Sequence, residues 1–346
     1  MLAAEQFTSE QCESLRRTIA SYRDNDRLPS EEELIALLDR TISTLESESV
    51  DYRAQASDGS AGGLLDFSAD TLPVIIVPDL HARPDFIVQL LDCTFEGMSL
   101  LSALATGRLY VVCVGDGVHT ESPVDSRDRW IRSYQEWMER GNINSEPMQQ
   151  EMKDCFSTMM AVMELKNAFP KHFHFLKGNH ENILNKEGGG DHPFRKYALE
   201  GAMVKEFVGE QYGDAVLHLM NCFETNLPIV AVFRDFGISH AEPMRPYARN
   251  EIVNYHDNGD LILDFTWTSN DQAEENSCAR QFCLLTGKED DGISLWFGGH
   301  RPVEGKYKLR QNGRYIQIHN PMEMNIAVVA SAQSFNPDED IISIVI

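Results

Sequence analysis

The stretch 72–83 reads LPVIIVPDLHAR, and the stretch 109–119 reads LYVVCVGDGVH. In each, a short apolar run ends at a proline or glycine that is followed directly by an aspartate. Short apolar runs bounded by Gly and Pro are typical of strands that are buried on both faces. Three further short apolar runs lead into Asn179, His240 and His300, and the first and last of them do so through a glycine. Because ligands gather at the carboxyl ends of neighbouring strands, this pattern predicts one crevice lined by these polar residues.

The order of the other patterns predicts the fold class. Helical patterns at about 85–105 and 127–168 separate the first three strands, and strand–helix–strand alternation favours a largely parallel sheet. The Asn-Gly pair at 312–313 lies between the segments 307–310 and 315–318 and predicts an antiparallel hairpin. Further strands are predicted at 326–330 and 341–346. The predicted class is α/β (α+β), with two packed mixed β-sheets flanked by helices.

The N-terminal part of the chain differs from the rest. The first fifty residues predict two helices, the second capped by Ser30 and acidic in its first turn, where the helix dipole favours negative charge. Residues 51–70 contain SDGSAGG and little periodicity, which predicts a linker or surface loop. We therefore divide the chain into a helical segment (1–50), a linker (51–70) and a domain that carries the crevice (71–346).

Composition narrows the class of protein. Of the 346 residues, 42% are hydrophobic, which is enough for a full core. The formal net charge is −24, and such a field repels the phosphates that dominate nucleic-acid binding, so no nucleic-acid partner is expected.

The N-terminus has no signal-peptide pattern, and no apolar run approaches the ~20 residues of a bilayer span. The seven cysteines include no CxxC pair, which favours free thiols in a reducing compartment. We expect a soluble cytoplasmic protein with no membrane partner.

The residue types at the strand ends predict a metal centre. Asp79 and His81 are two apart, and in an extended strand that spacing places both side chains on one side. Carboxylate, imidazole and amide oxygen together suit a dinuclear Mn, Fe or Zn site. One carboxylate can bridge two ions ~3.5–4 Å apart, and the glycine-flanked turn around Asp116 would expose both its oxygens. The candidate ligands, called here the six crevice residues, are Asp79, His81, Asp116, Asn179, His240 and His300.

With these motifs in view, the chain resembles the calcineurin-like metallophosphoesterases, and within them most closely the phosphoprotein (serine/threonine) phosphatase branch. The resemblance covers about 73–331 and implies a four-layer sandwich. It rests on six segments, which are PDLHAR, VGDGVH, KGNHEN, ISHAEP, DLILDFTWTSND and FGGHRPVEGKY.

The resemblance also implies roles. Asp79, His81 and Asp116 would hold one ion, and Asp116 would share the second ion with the other three crevice residues. His180, the histidine of the GNHE motif, would protonate the leaving group. The implied reaction is metal-dependent hydrolysis of a phosphoester by a hydroxide that bridges two divalent ions, with manganese favoured and iron or zinc as alternatives. The partner would be a phosphorylated protein or small molecule.

The second motif departs from the family pattern. Residues 118–121 read Val-His-Thr-Glu where the family has Val-Asp-Arg-Gly, so the Asp partner of His180 and a phosphate-binding Arg are absent in register. A second family arginine falls near Asp291. We consider three replacements, which are Arg127 in a displaced Val-Asp-Ser-Arg element at 124–127, Arg301 beside His300, and Arg83.

These losses leave alternative functions open. One is a metal-binding interaction module with weakened catalysis, and others are a dinucleoside-polyphosphate hydrolase and a nuclease, although the acidic charge argues against the last. Outside the crevice, His172 and His174 alternate and are expected to form a surface pair, and the methionines at helical spacing between 148 and 163 are expected in the core.

Overall fold

A computed structural model gives the structure of the chain and describes residues 7–121 and 125–344. None of the helices in these ranges has the length and apolar character needed to cross a membrane. The helices are α1 Ser9–Asp24, α2 Glu31–Glu46, α3 Pro84–Asp92, α4 Leu100–Ala105, α5 Ser126–Arg140, α6 Glu146–Ala168, α7 Glu200–Thr225, α8 Arg249–Val253, α9 Gly259–Thr266, α10 Ser277–Thr286 and α11 Pro337–Asp340. The strands are β1 Leu64–Phe67, β2 Val74–Val77, β3 Thr94–Phe95, β4 Met98–Ser99, β5 Tyr110–Cys113, β6 Phe173–Phe175, β7 Val230–Phe233, β8 Phe236–Ser239, β9 Leu295–Gly298, β10 Lys308–Arg310, β11 Tyr315–Gln317, β12 Asn325–Val329 and β13 Ile341–Ser343.

Two large sheets carry the fold. The first has the order β13-β12-β2-β5-β6, and β2, β5 and β6 run parallel. The second has the order β1-β7-β8-β9-β11-β10, in which β8, β9 and β11 run parallel and β10–β11 is the predicted antiparallel hairpin. Parallel pairing brings the carboxyl ends of these strands to the same edge of their sheet.

The strands are buried on both faces, and alternate side chains enter different cores. Ile75 and Val77 face the helices, whereas Val74 and Ile76 pack between the two sheets. In the second sheet Val232 faces a third core that includes residues of α8, α9 and α10. The order helices, sheet, sheet, helices confirms the predicted four-layer sandwich.

The N-terminal helices join the first of these layers. Each begins at a capping box, with Thr8 and Gln11 at α1 and Ser30 and Glu33 at α2, and the Ser30 cap is the one predicted from the sequence. Their buried faces pack on α6 and α7 and belong to the same hydrophobic core. The predicted core role of the α6 methionines is confirmed.

Two segments differ from the sequence-based expectation. Residues 51–70 include a strand, β1, which pairs in parallel with β7 at the edge of the second sheet because Leu65 and Phe67 enter the core between the sheets. His174 is fully buried in β6, where its Nδ1 lies 3.1 Å from the Lys166 ammonium. The expectation of a surface pair was therefore wrong for His174, whereas His172 is partly buried.

Candidate metal centre

The structure brings the six crevice residues together where strands of both sheets end. Asp79 and His81 follow β2, and the residues Asp116, Asn179, His240 and His300 follow β5, β6, β8 and β9 in turn. All six are buried. The crevice thus lies between the carboxyl ends of the parallel strands of the two sheets.

One group of crevice residues surrounds the His81 ring. His81 Nε2 lies 3.8 Å from Asp79 Oδ2 and 3.7 Å from Asp116 Oδ2. The His81 Nδ1 lies 3.0 Å from the His119 carbonyl oxygen and donates its proton there. The Nε2 lone pair is therefore the one that faces the two carboxylates, which is the orientation a metal ligand needs.

The second group surrounds the Asn179 amide. Asn179 Oδ1 lies 3.0 Å from His240 Nε2 and 2.9 Å from His300 Nδ1. His240 Nε2 is also 3.5 Å from Asp116 Oδ2, so that single oxygen lies between the two groups. The other Asp116 oxygen, Oδ1, accepts the His180 backbone N–H at 2.9 Å, so only Oδ2 faces the crevice from both sides.

The side chains converge through tight turns and not through strand alternation. His81, Asp116 and His300 have positive φ angles of 42°, 51° and 62°, a region that non-glycine residues seldom adopt. β2 ends at Val77, so the same-side argument for Asp79 and His81 was wrong in its geometry. Gly299 lets the loop before His300 lie directly against the Asp79 carboxylate, because a Cβ at position 299 would lie 1.8 Å from Asp79 Oδ1.

A buried carboxylate joins two of the loops. Glu181 accepts backbone N–H bonds from Asp116 and Gly117 at 2.9 Å and from Gly178 at 2.7 Å. A Cβ at position 178 would lie 2.3 Å from Asp116 Oδ1, so only glycine fits. The Gly and Glu of the GNHE motif therefore hold Asp116 in place.

The electrostatics of the crevice favour a cation. Burial lowers the pKa of His81 to about 3 and that of His240 to about 4, so both are neutral ligands near pH 7. Burial, together with the charges of Glu181 and Asp79, raises the pKa of Asp116 well above its usual range. A divalent ion would compensate these buried carboxylates, and the oxygen and imidazole donors fit Mn²⁺ or a similar ion.

His180 lies beside the crevice with its ring held by aromatic contacts. It stacks on Phe194 with 4.4 Å between ring centroids, and its Nε2 is 3.8 Å from Asp116 Oδ2. The His180 Nδ1 is buried and has no hydrogen-bond partner among the described residues. His119, which stands where the family has its Asp, lies 5.0 Å from the His180 ring and stacks on Trp130.

Arg83 does not point at the crevice. Its guanidinium donates to the backbone carbonyls of Leu80 and Asp79 on one side and of Asn320 and Glu323 on the other. Four of its N–H groups are therefore used within the fold. These bonds leave one guanidinium N–H for a substrate, and the substrate-binding role of Arg83 stays a prediction.

The other two arginines are exposed. Arg301 follows His300 and donates to the Ser269 hydroxyl at 2.6 Å. Burial lowers the pKa of His300 well below its usual range, and the charges of His240 and Arg301 add to this effect. Arg127 lies in the first turn of α5. Val124, which begins the displaced element, lies outside the described residues.

Sequence reasoning missed three polar residues near the crevice. His319 is fully buried two residues after β11, Glu121 lies 3.8 Å from His81 Nε2, and Lys196 pairs with Glu121 at 2.7 Å. A signal for His319 was present, because it follows an apolar strand in the same way as His240 and His300.

The comparisons with known proteins bear on the fold. A protein serine/threonine phosphatase from Saccharomyces cerevisiae with similarity to human phosphatase PP5 matches with a TM-score of 0.57 at 12% identity, covering 94% of each chain. A cold-active protein-tyrosine phosphatase of a psychrophile Shewanella species matches at a TM-score of 0.42 and 13% identity, over 79% of this chain and 78% of that chain. A putative diadenosine tetraphosphatase matches at 0.37 and 15%, over 82% and 97%. The sequence matches no family model and no curated protein. The first match confirms the predicted fold, and we base the fold assignment on it alone.

Proposed function

Because this chain has the fold of the calcineurin-like metallophosphoesterases, we propose that it is a metal-dependent phosphoesterase. The observation that carries the proposal is the chain of contacts that links the six crevice residues, in which neighbouring ligand atoms lie 2.9–3.8 Å apart. Asp79, His81 and Asp116 would hold one ion. Asp116 would share the other with Asn179, His240 and His300. Two divalent ions, most favourably Mn²⁺, would supply charge neutralisation and an activated water for in-line attack at phosphorus.

His180 would donate the proton that the leaving oxygen needs. Burial and the neighbouring histidines lower the pKa of His180 well below its usual range, so the ring is neutral without substrate. A bound phosphoryl group carries about two negative charges and would favour the protonated ring. Stacking on Phe194 would keep that ring aimed at the crevice while the proton moves.

The substrate would be a phosphorylated protein or small molecule. Arg301 would bind its phosphoryl oxygens, and its position directly after the crevice residue His300 supports this role. It is exposed, so it can leave Ser269 for a bound anion. Arg127 remains the second candidate.

The test is a hydrolysis screen of the full chain with Mn²⁺. Substrates are p-nitrophenyl phosphate, bis-p-nitrophenyl phosphate, phosphopeptides and a dinucleoside polyphosphate. His180→Gln should lower kcat on the best substrate by about 10²–10⁴, whereas His172→Gln, at the other end of β6, should leave it unchanged. Failure of the wild-type chain to hydrolyse any of them would contradict the proposal.

A second function is favoured by one observation. Thr120 stands where the family has a phosphate-binding arginine, and the nearby Arg129 is paired with Glu151 and Asp154. Loss of one preorganised donor costs about 10²–10³ in rate. If Arg301→Ala and Arg127→Ala each lose less than threefold in single-turnover assays, neither replaces the arginine. The chain would then be better described as a metal-binding module with weak turnover.

A further inference from the structure

His319 is buried beside the first group of crevice residues, and hydrogen bonding does not account for its position there. Its exposed fraction is zero, and neither ring nitrogen has a hydrogen-bond partner among the described residues. An imidazole always carries at least one N–H, and leaving a buried donor unpaired costs about 1–3 kcal/mol. A histidine that served only for packing would be replaced at lower cost by an apolar residue.

The neighbours of His319 are metal-binding groups. Its Nδ1 lies 3.7 Å from Asp79 Oδ2, and its ring centroid is 5.0 Å from that of His81. One ligand atom from each of these three residues lies within 4.8 Å of the others. A distance of 3.7 Å is too long for a hydrogen bond. It does fit two atoms that share one ion, because ligand bonds of about 2.1 Å at about 110–125° place their ends about 3.4–3.7 Å apart.

The other ring nitrogen faces a carboxylate. His319 Nε2 lies 3.7 Å from Glu121 Oε2, which is also paired with the Lys196 ammonium. A histidine that binds metal through one nitrogen commonly donates its other N–H to a carboxylate, which sets the tautomer and the ring orientation. Glu121 stands where the family motif has glycine, so this chain has a carboxylate that the motif does not supply.

The fold holds His319 at this position. β11 runs parallel to β9, so the ends of both strands reach the crevice, and the His319 carbonyl accepts the Val303 N–H at 2.9 Å. Arg83 connects the next residue, Asn320, to the loop of Asp79 through their carbonyl oxygens. The bonds of Arg83 therefore fix the distance between Asp79 and His319.

We infer that His319 is a seventh ligand, which binds the first ion through Nδ1 together with Asp79, His81 and Asp116. At 3.7 Å Glu121 forms no hydrogen bond with Nε2, but its negative charge faces that nitrogen and favours the tautomer that carries the proton there. The inference rests on the proposed two-ion centre, and it adds a ligand from a strand end beyond the last recognised motif. It also gives Glu121 a positioning role at the place where the family's motif is lost.

The test is Mn²⁺ binding by the full chain, followed through the electron paramagnetic resonance signal of free Mn²⁺ and the spin-coupled signal of a bound pair. Wild type should bind two ions. His319→Ala should keep one, with the other weakened at least about 100-fold and the coupled signal lost. Glu121→Gln should still fill both sites, with one weakened about 10–100-fold. His172→Ala, a histidine on the opposite end of the sheet, should match wild type.

Circular dichroism of each protein, recorded after a chelator has removed the metal, checks that the variants are folded. If His319→Ala is unfolded, the Mn²⁺ titration is repeated with His319→Gln. Two ions bound with wild-type affinity in a folded His319 variant, or no ion bound by wild type, would overturn the inference. Activity is not part of this readout. A chain that binds two ions through His319 and yet hydrolyses no phosphoester would contradict the proposed function alone.

Discussion

At the scale of single residues, Asp116 has the most demanding position. Its Oδ1 accepts the His180 N–H, its Oδ2 lies 3.5 Å from His240 Nε2 and 3.7 Å from His81 Nε2, and its backbone has a positive φ. The turn is held by Glu181, which accepts the Asp116 N–H. A carboxylate placed between two sets of ligands can serve both ions only while it is ionised.

We therefore predict that Asp116→Asn weakens both metal sites. Asparagine keeps the shape but loses the charge that compensates two cations, so Mn²⁺ affinity should fall at least about 100-fold at each site and hydrolysis should be lost. Metal content after gel filtration and kcat measure the two effects. Asp214→Asn, an exposed aspartate on α7, is the control. Full occupancy of both sites in Asp116→Asn would exclude the bridging role.

At the scale of elements, a buried charge network joins the end of α2 to α6 and β6. Glu48 pairs with Arg53 at 2.5 Å and with the Lys166 ammonium, and all three side chains are almost fully buried. Lys166 also donates to the Phe173 carbonyl at the start of β6. Burial would raise the pKa of Glu48, but Lys166 and Arg53 lower it to about 2.

We predict that Glu48→Gln lowers the free energy of unfolding by about 3–5 kcal/mol, because it leaves two buried cations without their counter-charge. The lowered pKa means that the stabilisation is complete above about pH 4.5 and is lost as the pH falls toward 2. Urea unfolding at pH 7 measures the loss, and Glu46→Gln, exposed at the end of α2, should change it by less than about 0.5 kcal/mol. Equal stability of the two variants would show that the network is not needed.

For a second buried carboxylate we predict the opposite dependence of stability on pH. Glu224 on α7 accepts the Ile183 N–H at 2.7 Å, and burial raises its pKa to about 8. The folded state therefore binds a proton that the unfolded state releases near pH 4.5, so its stabilising contribution falls as the pH rises from about 4.5 to 8. Glu224→Gln, which keeps an acceptor for Ile183, should remove that fall. Urea unfolding at pH 5 and pH 9 should show a smaller loss in this variant than in wild type or in the exposed control Glu206→Gln. An unchanged slope would contradict the raised pKa.

At the scale of the whole molecule, the net charge of −24 acts against the compact state. Exposed pairs such as Arg27–Glu33 contribute little each, so repulsion among the excess carboxylates should dominate the response to salt.

We predict that the urea midpoint rises as NaCl is increased from 10 to 150 mM, because the screening length falls from about 30 to about 8 Å. Changing the exposed Glu13 and Glu206 to Lys makes the chain four units less negative and should reduce the rise. A midpoint that falls with salt would mean that attractive ion pairs outweigh the repulsion.

Local patterns in the sequence were sufficient to predict most of the strands that lead into the crevice and the residues that line it. Short apolar runs that lead into a polar residue located β2, β5, β6, β8 and β9, because buried strands and the turns that follow them leave a short-range signal. The same pattern singled out the six crevice residues, and the resemblance to phosphatases supplied the four-layer fold. The cap signal at Ser30 located the start of α2 for the same local reason.

Other features depend on which distant segments become neighbours, and only the tertiary structure decided them. Pairing with β7 makes a strand of 64–67 in a region rich in Gly and Ser. Packing buries His174 beside the Lys166 ammonium. The guanidinium of Arg83 donates hydrogen bonds to backbone carbonyls of a segment more than 230 residues away. His319 reaches Asp79 because β11 lies beside β9. No local pattern encodes these contacts, since each is set by the packing of the two sheets against each other and against their helices.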